Sequence, residues 1–156
     1  MGKIFDYMNP KNKGENVKTT FNILVYFLFT FIIIRVFIYS MVYGPMPGIY
    51  LYIRGVHIHH LNFGIFILAL ACYLALVNKK QKIRSKIAKL YGIGLAFTFD
   101  EFGMFLFLRD GYWMRQSYDA IIIIVVIFLN IIYFGNIWRK IIDKSLIFWR
   151  RIIKGE

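Results

Sequence analysis

Apolar and polar residues fall along this chain in long blocks rather than in strand or amphipathic-helix alternation. Four blocks, residues 21–43, 60–77, 90–108 and 120–138, are almost continuously apolar, and about 20 such residues match the thickness of a bilayer core. The connections between them are short. The pattern therefore predicts an all-α fold, a four-transmembrane-helix bundle over residues 21–138 with no separate soluble domain. Residues 1–20, with Pro10, Gly14 and several Asn and Lys, read as a basic arm. In residues 139–156, Ile142, Leu146, Trp149 and Ile153 recur at helical spacing opposite Lys140, Lys144, Arg151 and Lys154. That spacing predicts a C-terminal amphipathic helix on the membrane surface.

Composition agrees with a membrane domain. Hydrophobic residues make up 59% and aromatics 19%, more than the core of a soluble domain of this size needs. The first block is longer than a secretory signal core and lacks a small-residue cleavage site, so it is expected to stay as an anchor. A lone cysteine, Cys72, excludes an intramolecular disulfide.

The formal charge of +12 would fit nucleic acid, but no recognition motif accompanies it. Instead the basic residues sort by membrane side. Lys3, Lys11, Lys13 and Lys18 precede the first block, Lys79, Lys80, Lys82, Arg84, Lys86 and Lys89 fill the second connection, and Arg139, Lys140, Lys144, Arg150, Arg151 and Lys154 lie in the tail. Arg54, Arg109 and Arg115 fall on the other side. By the positive-inside rule the protein is a multi-pass cell-membrane protein with both termini cytoplasmic. Anionic lipid headgroups at the cytoplasmic face are the expected partner, and homo-oligomerisation is compatible with the pattern.

Against this background the polar residues of the outer half stand out. All three histidines, His57, His59 and His60, sit at the mouth of the second block, and Asp100 and Glu101 lie within the third. A charge near mid-bilayer costs roughly 2.5–3.5 kcal/mol on insertion scales, so adjacent acids there need compensation. A metal ion held with the histidines, or the guanidinium of Arg35 in the first block, would supply it. The simplest reading of Arg35 is an ion pair locking the first helix to the third. The simplest reading of the histidines is interfacial hydrogen bonding, and the sharper one is metal ligation. If residues 57–60 are helical, His57 and His60 share a face; if extended, His57 and His59 align. On a continuous helix Asp100 and Glu101 point about 100° apart, so one would face the site and the other a neighbouring helix or Arg35.

The candidate site is thus Asp100 and Glu101 as acid and base, His57, His59, His60, Asp100 and Asp110 as ligands of zinc or iron, and Arg35, Asp119, Tyr112 and Trp113 around them. Gly55-Val56-His57-Ile58-His59-His60, Thr98-Phe99-Asp100-Glu101-Phe102, Asp110-Gly111-Tyr112-Trp113 and Ser117-Tyr118-Asp119-Ala120 occur in that order. In this the chain resembles a family of small, uncharacterised prokaryotic integral membrane proteins that pair a histidine cluster with a Leu-Asp-Glu-Phe-like helix and an Asp-x-Tyr-Trp segment. Phe99 stands here in place of the leucine. The resemblance implies that these positions form one site and supplies no activity.

Two histidines and a carboxylate would leave an open position on zinc for water, with the other carboxylate as base. The leading expectation is therefore a membrane-embedded metal-dependent enzyme, hydrolytic toward a lipid-like substrate. An oligomeric ion or proton channel through Arg35, Asp100 and Glu101 is the alternative, and a structural or sensory partner subunit the third.

Overall fold

The computed structural model describes residues 13–48, 51–78, 80–108 and 114–154. It is helical, with α1 (Lys13–Val42), α2 (His60–Val77), α3 (Gln81–Asp100), α4 (Phe102–Phe107) and α5 (Arg115–Lys154). Between α1 and α2 lies a two-residue ladder of β1 (Tyr52–Ile53) and β2 (Val56–His57). Its connection, Arg54 and Gly55, has φ of 51° and 81°. Two consecutive left-handed residues are what a tight hairpin of this length requires, and Gly55 adopts that conformation without a Cβ penalty.

Three helical stretches are long and apolar enough to cross a membrane: Gly14–Val42, His60–Val77 and Arg115–Gly135. The third expected block behaves differently. Residues 90–108 do not form one helix: α3 starts earlier, at Gln81, and stops at Asp100, where Glu101 leaves the helical region at φ −100° and ψ 17°. A short α4 follows and ends at Leu108, which is left-handed at φ 51°. Because α3 begins with Lys82, Arg84, Lys86 and Lys89, its average hydropathy falls below that of the other three, although its apolar half is the most buried in the molecule.

The burial of α3 follows from its small residues. Gly92 and Gly94 are two positions apart, about 200° around a helix, so they face opposite neighbours. A Cβ on Gly92 would strike the backbone of Ile23 and Phe27 on α1, whereas one on Gly94 would press on Ile67 and Leu68 of α2 at 3.0 Å. Gly64 on α2 meets α3 equally closely, its missing Cβ 2.6 Å from the Thr98 nitrogen. Small residues let helices approach when no hydrophobic drive separates lipid from protein. Helix α3 is therefore the hub, with α1 along one side and α2 along the other, while α1 and α2 hardly touch. Phe27, Leu95, Ala96 and Ile121 form the core where α1, α3 and α5 meet.

At the end of the bundle away from the histidines, Arg84 donates to the Asn16 side chain at 2.7 Å and Asn22 to Ser85 at 3.2 Å, tying α1 to α3. The expected boundaries at both termini shift. Residues 13–20 of the basic arm are already helical, and residues 1–12 lie outside the described residues. The tail to Lys154 is helical, but it continues α5 without a break rather than starting a separate helix. Ile142, Leu146 and Ile153 on it are exposed.

Gly92→Val and Gly64→Val should each lower the melting temperature of the purified protein by well over 5 °C, because the added side chains meet backbone atoms. Gly135→Ala, with nothing within 4 Å of the new methyl, should leave it unchanged or slightly raised, as Ala exceeds Gly in helix propensity by about 1 kcal/mol. Thermal scanning in detergent checks both.

Candidate functional site

The chain brings the histidines and the acids to one end of the bundle because α2 starts where α3 stops. His60 is the first residue of α2 and Asp100 the last of α3. Arg35 lies seven residues before the end of α1, and Tyr118 lies in the first turn of α5. The hairpin delivers residues 57–59 across this end in extended form, His59 having φ −72° and ψ 149°. The extended alternative therefore holds. The rings of His57 and His59 pack with centroids 4.4 Å apart, and Tyr52 also packs on His57, at 5.2 Å.

Both carboxylates are buried, their side chains 1% and 3% exposed for Asp100 and Glu101, and both face the site. This differs from the divergence expected of neighbours on a helix. The helix stops between them, and the non-helical Glu101 swings its side chain back beneath the histidines. Asp100 meets Arg35 from α1, with Nε 2.6 Å from Oδ1 as an ion pair rather than an aligned hydrogen bond. The Arg35 Nη2 also donates to the Asp100 carbonyl at 2.9 Å, and Nη1 to the Tyr118 hydroxyl at 3.2 Å. The guanidinium lies over the Tyr118 ring at 4.6 Å, so one cation joins α1, α3 and α5.

Glu101 is held as tightly. Its Oε2 accepts the Leu61 backbone N–H at 2.8 Å, which satisfies one of the unpaired donors of the first turn of α2, where the N-cap residue His59 makes no side-chain cap of its own. A carboxylate at a helix N-terminus is also favoured by the helix dipole. Its Oε1 lies 3.2 Å from His59 Nδ1 and 3.3 Å from His60 Nδ1, while His60 Nε2 lies 3.1 Å from Asp100 Oδ2. His60 thus stands between two carboxylates, with Nδ1 facing Glu101 and Nε2 facing Asp100.

His59 differs from His60. A carboxylate at Nδ1 fixes the tautomer that leaves Nε2 as the basic nitrogen, the arrangement used wherever an oriented imidazole acts as general base. Beside it opens a cavity of about 350 Å³ between α1 and α2. The cavity is walled by Ile34, Phe37, Ile38 and Met41 of α1 and by Phe63 and Phe97, and it ends at His57, His59, His60 and Glu101. Ile33, Phe37 and Phe63 among its lining residues are exposed.

The other expected members are distributed differently. Asp119 is half exposed and pairs with Arg115, at 3.6 Å one turn before it, too exposed a pair to contribute much. Asp110, Tyr112 and Trp113 lie outside the described residues. Among those described, no three His, Cys, Asp or Glu residues are gathered as a metal-holding group. Two residues that sequence reasoning passed over belong to the site. Tyr118 is one, and Ser117 is the other: 1% exposed, it accepts the Gly103 N–H at 2.9 Å and pins the turn after Glu101 to α5. The Ser117-Tyr118 dipeptide was visible as part of a motif, but neither residue type by itself signals a role.

Comparisons of the chain with protein-family models, curated proteins and solved structures return no match. The function rests on the site alone.

Removing one partner of a buried ion pair costs about 3–5 kcal/mol, because the other is left unpaired. Arg35→Leu should therefore destabilise the protein by that order, and Arg35→Leu combined with Asp100→Asn should recover part of the loss. A double mutant equal to the sum of the singles in denaturation experiments would show the two residues to be uncoupled.

Proposed function

We propose that this is an integral membrane enzyme that carries out acid–base chemistry, hydrolytic in the simplest case, on the polar end of a lipid-like molecule entering sideways between α1 and α2. The observation that carries the reading is an apolar cleft ending at two oriented imidazoles and a buried carboxylate. Largely apolar pockets with a few convergent polar groups are the ordinary form of small-molecule sites. In this reading His59 is the general base, Glu101 orients it, and Asp100 and Arg35 hold His60 and the carboxylates in place.

The proposal includes four membrane crossings. Helix α3, at 20 residues, is about 30 Å long, the thickness of the hydrocarbon core, and the three more apolar helices screen it from lipid. With Lys82, Arg84, Lys86 and Lys89 at its start, the positive-inside rule puts both termini in the cytoplasm and the site in the outer half of the membrane. The polar network favours a one-sided site over a channel, since Phe27, Leu95, Ala96 and Ile121 fill the bundle between it and the Asn16–Arg84 end.

A zinc- or iron-dependent form of the same chemistry is the alternative: His59, His60 and Glu101 carry the nitrogen and oxygen donors such an ion takes, although the described residues are not gathered as a metal-holding group. His59, His60 and Glu101 would hold the ion, which would supply an activated water.

Lipid-nanodisc protein should hydrolyse p-nitrophenyl decanoate much faster than p-nitrophenyl acetate, with the decanoate rate falling at least 100-fold in His59→Ala. Elemental analysis of the same preparation separates the two forms: near-stoichiometric metal lost in His60→Ala supports the ion, and full activity without metal supports the acid–base form. Equal rates for wild type and His59→Ala on both esters would contradict the enzyme reading. For the topology, single cysteines at Lys82 and Arg115, before and after α3, in a Cys72→Ala background should label from opposite sides with an impermeant maleimide; labelling from one side would contradict four crossings.

A further inference from the structure

His59 and Glu101 line two cavities. The second, of about 170 Å³, lies across the same pair, bounded by Leu61 and Asn62 of α2, Met104 and Phe105 of α4, and Leu108. It lies beside the break at Glu101, between α2 and α4. His59 and Glu101 therefore stand between the two spaces.

The two spaces differ in character. The cleft of about 350 Å³ is near the lower end of the ~300–1,000 Å³ usual for ligand sites. Its apolar wall follows α1 for more than two turns, a shape suited to one alkyl chain rather than two. The recess is half that size and carries the Asn62 side chain, which donates to the His59 carbonyl at 3.3 Å, beside His59 and Glu101. Around them lie the apolar Leu61, Met104, Phe105 and Leu108, and at about 170 Å³ the recess has room for a small headgroup.

We propose that the site takes a single-chain acyl ester or amide lying across both cavities, its chain in the α1–α2 cleft, its small polar end in the recess beside Asn62, and the joining carbonyl next to His59 and Glu101. The inference rests on the reading that the cleft holds a lipid-like substrate and adds a second compartment and a one-chain limit. Specificity then divides between the two compartments, with chain length read along α1 and headgroup size read between α2 and α4.

Photolabelling in phosphatidylcholine nanodiscs tests this with two monoacylglycerol probes, one carrying a diazirine at the end of the chain and one on the glycerol. Crosslinks are mapped by mass spectrometry. The chain-end probe should label residues 33–42 and Phe63, and the glycerol probe residues 101–108. Asn62→Trp, which fills the recess from an exposed position, should cut glycerol labelling of residues 101–108 about tenfold and leave chain labelling intact. Excess monoolein should compete and excess dioleoyl phosphatidylcholine should not. Glycerol labelling confined to residues 44–51, or unaffected by Asn62→Trp, would overturn the second compartment while leaving the cleft reading in place. Competition by the two-chain lipid would overturn the one-chain limit. Cleft labelling no stronger than that of the exposed Tyr133 and Phe134 would overturn the cleft reading and this inference with it.

Discussion

Two adjacent carboxylates buried in an otherwise apolar bundle set the terms for everything around them. Asp100 and Glu101 would repel each other and resist leaving water, so each must be surrounded by donors and positive charge. The protein meets that demand from four directions: Arg35 from α1, His60 and the Leu61 N–H from the start of α2, His59 from the hairpin, and Tyr118 from α5 through the shared guanidinium. No element that borders the cluster is unconnected to it. The same contacts that neutralise the acids fix the relative positions of the helices.

The broken helix end is what makes this possible. Had α3 continued past Asp100, Glu101 would point away from the histidines. The non-helical Glu101, stabilised by Ser117 through the Gly103 N–H, lets both acids face one site. Close packing of α3 on both α1 and α2 through Gly92 and Gly94 brings Arg35 and His60 within reach, yet keeps α1 and α2 apart. The cleft is thus a consequence of a central helix with glycines on opposite faces.

Much of this was legible in the chain. Long apolar blocks announce membrane-crossing helices because their length and hydropathy need no tertiary information, and the Arg35–Asp100 pair follows from the cost of an unpaired intramembrane charge. The clustering of His57, His59 and His60 opposite the acids follows from antiparallel helices of similar length. What could not be read were features decided by a few dihedral angles or by packing. The stop at Asp100 has no proline or glycine to mark it, since Gly103 comes three residues later. Helix α3 hid its role because its basic first turns dilute its hydropathy, whereas its burial depends on which neighbours its glycines meet. Asp119 resembled a site residue by its place in a motif, and the pairing it makes with Arg115, one turn before it, depends on helical spacing rather than on the motif.

On the proposed function, the buried charge cluster closes one end of a cleft that holds a single-chain amphiphile. Native mass spectrometry of protein released from nanodiscs tests it most directly, because bound lipid is counted and identified with no assumption about reaction. The account predicts one single-chain adduct per wild-type chain, lost in Ile34→Trp, which fills the cleft, and retained in Gly135→Ala. Identical adducts of two-chain phospholipid on all three proteins, or no retained adduct on any of them, would contradict it.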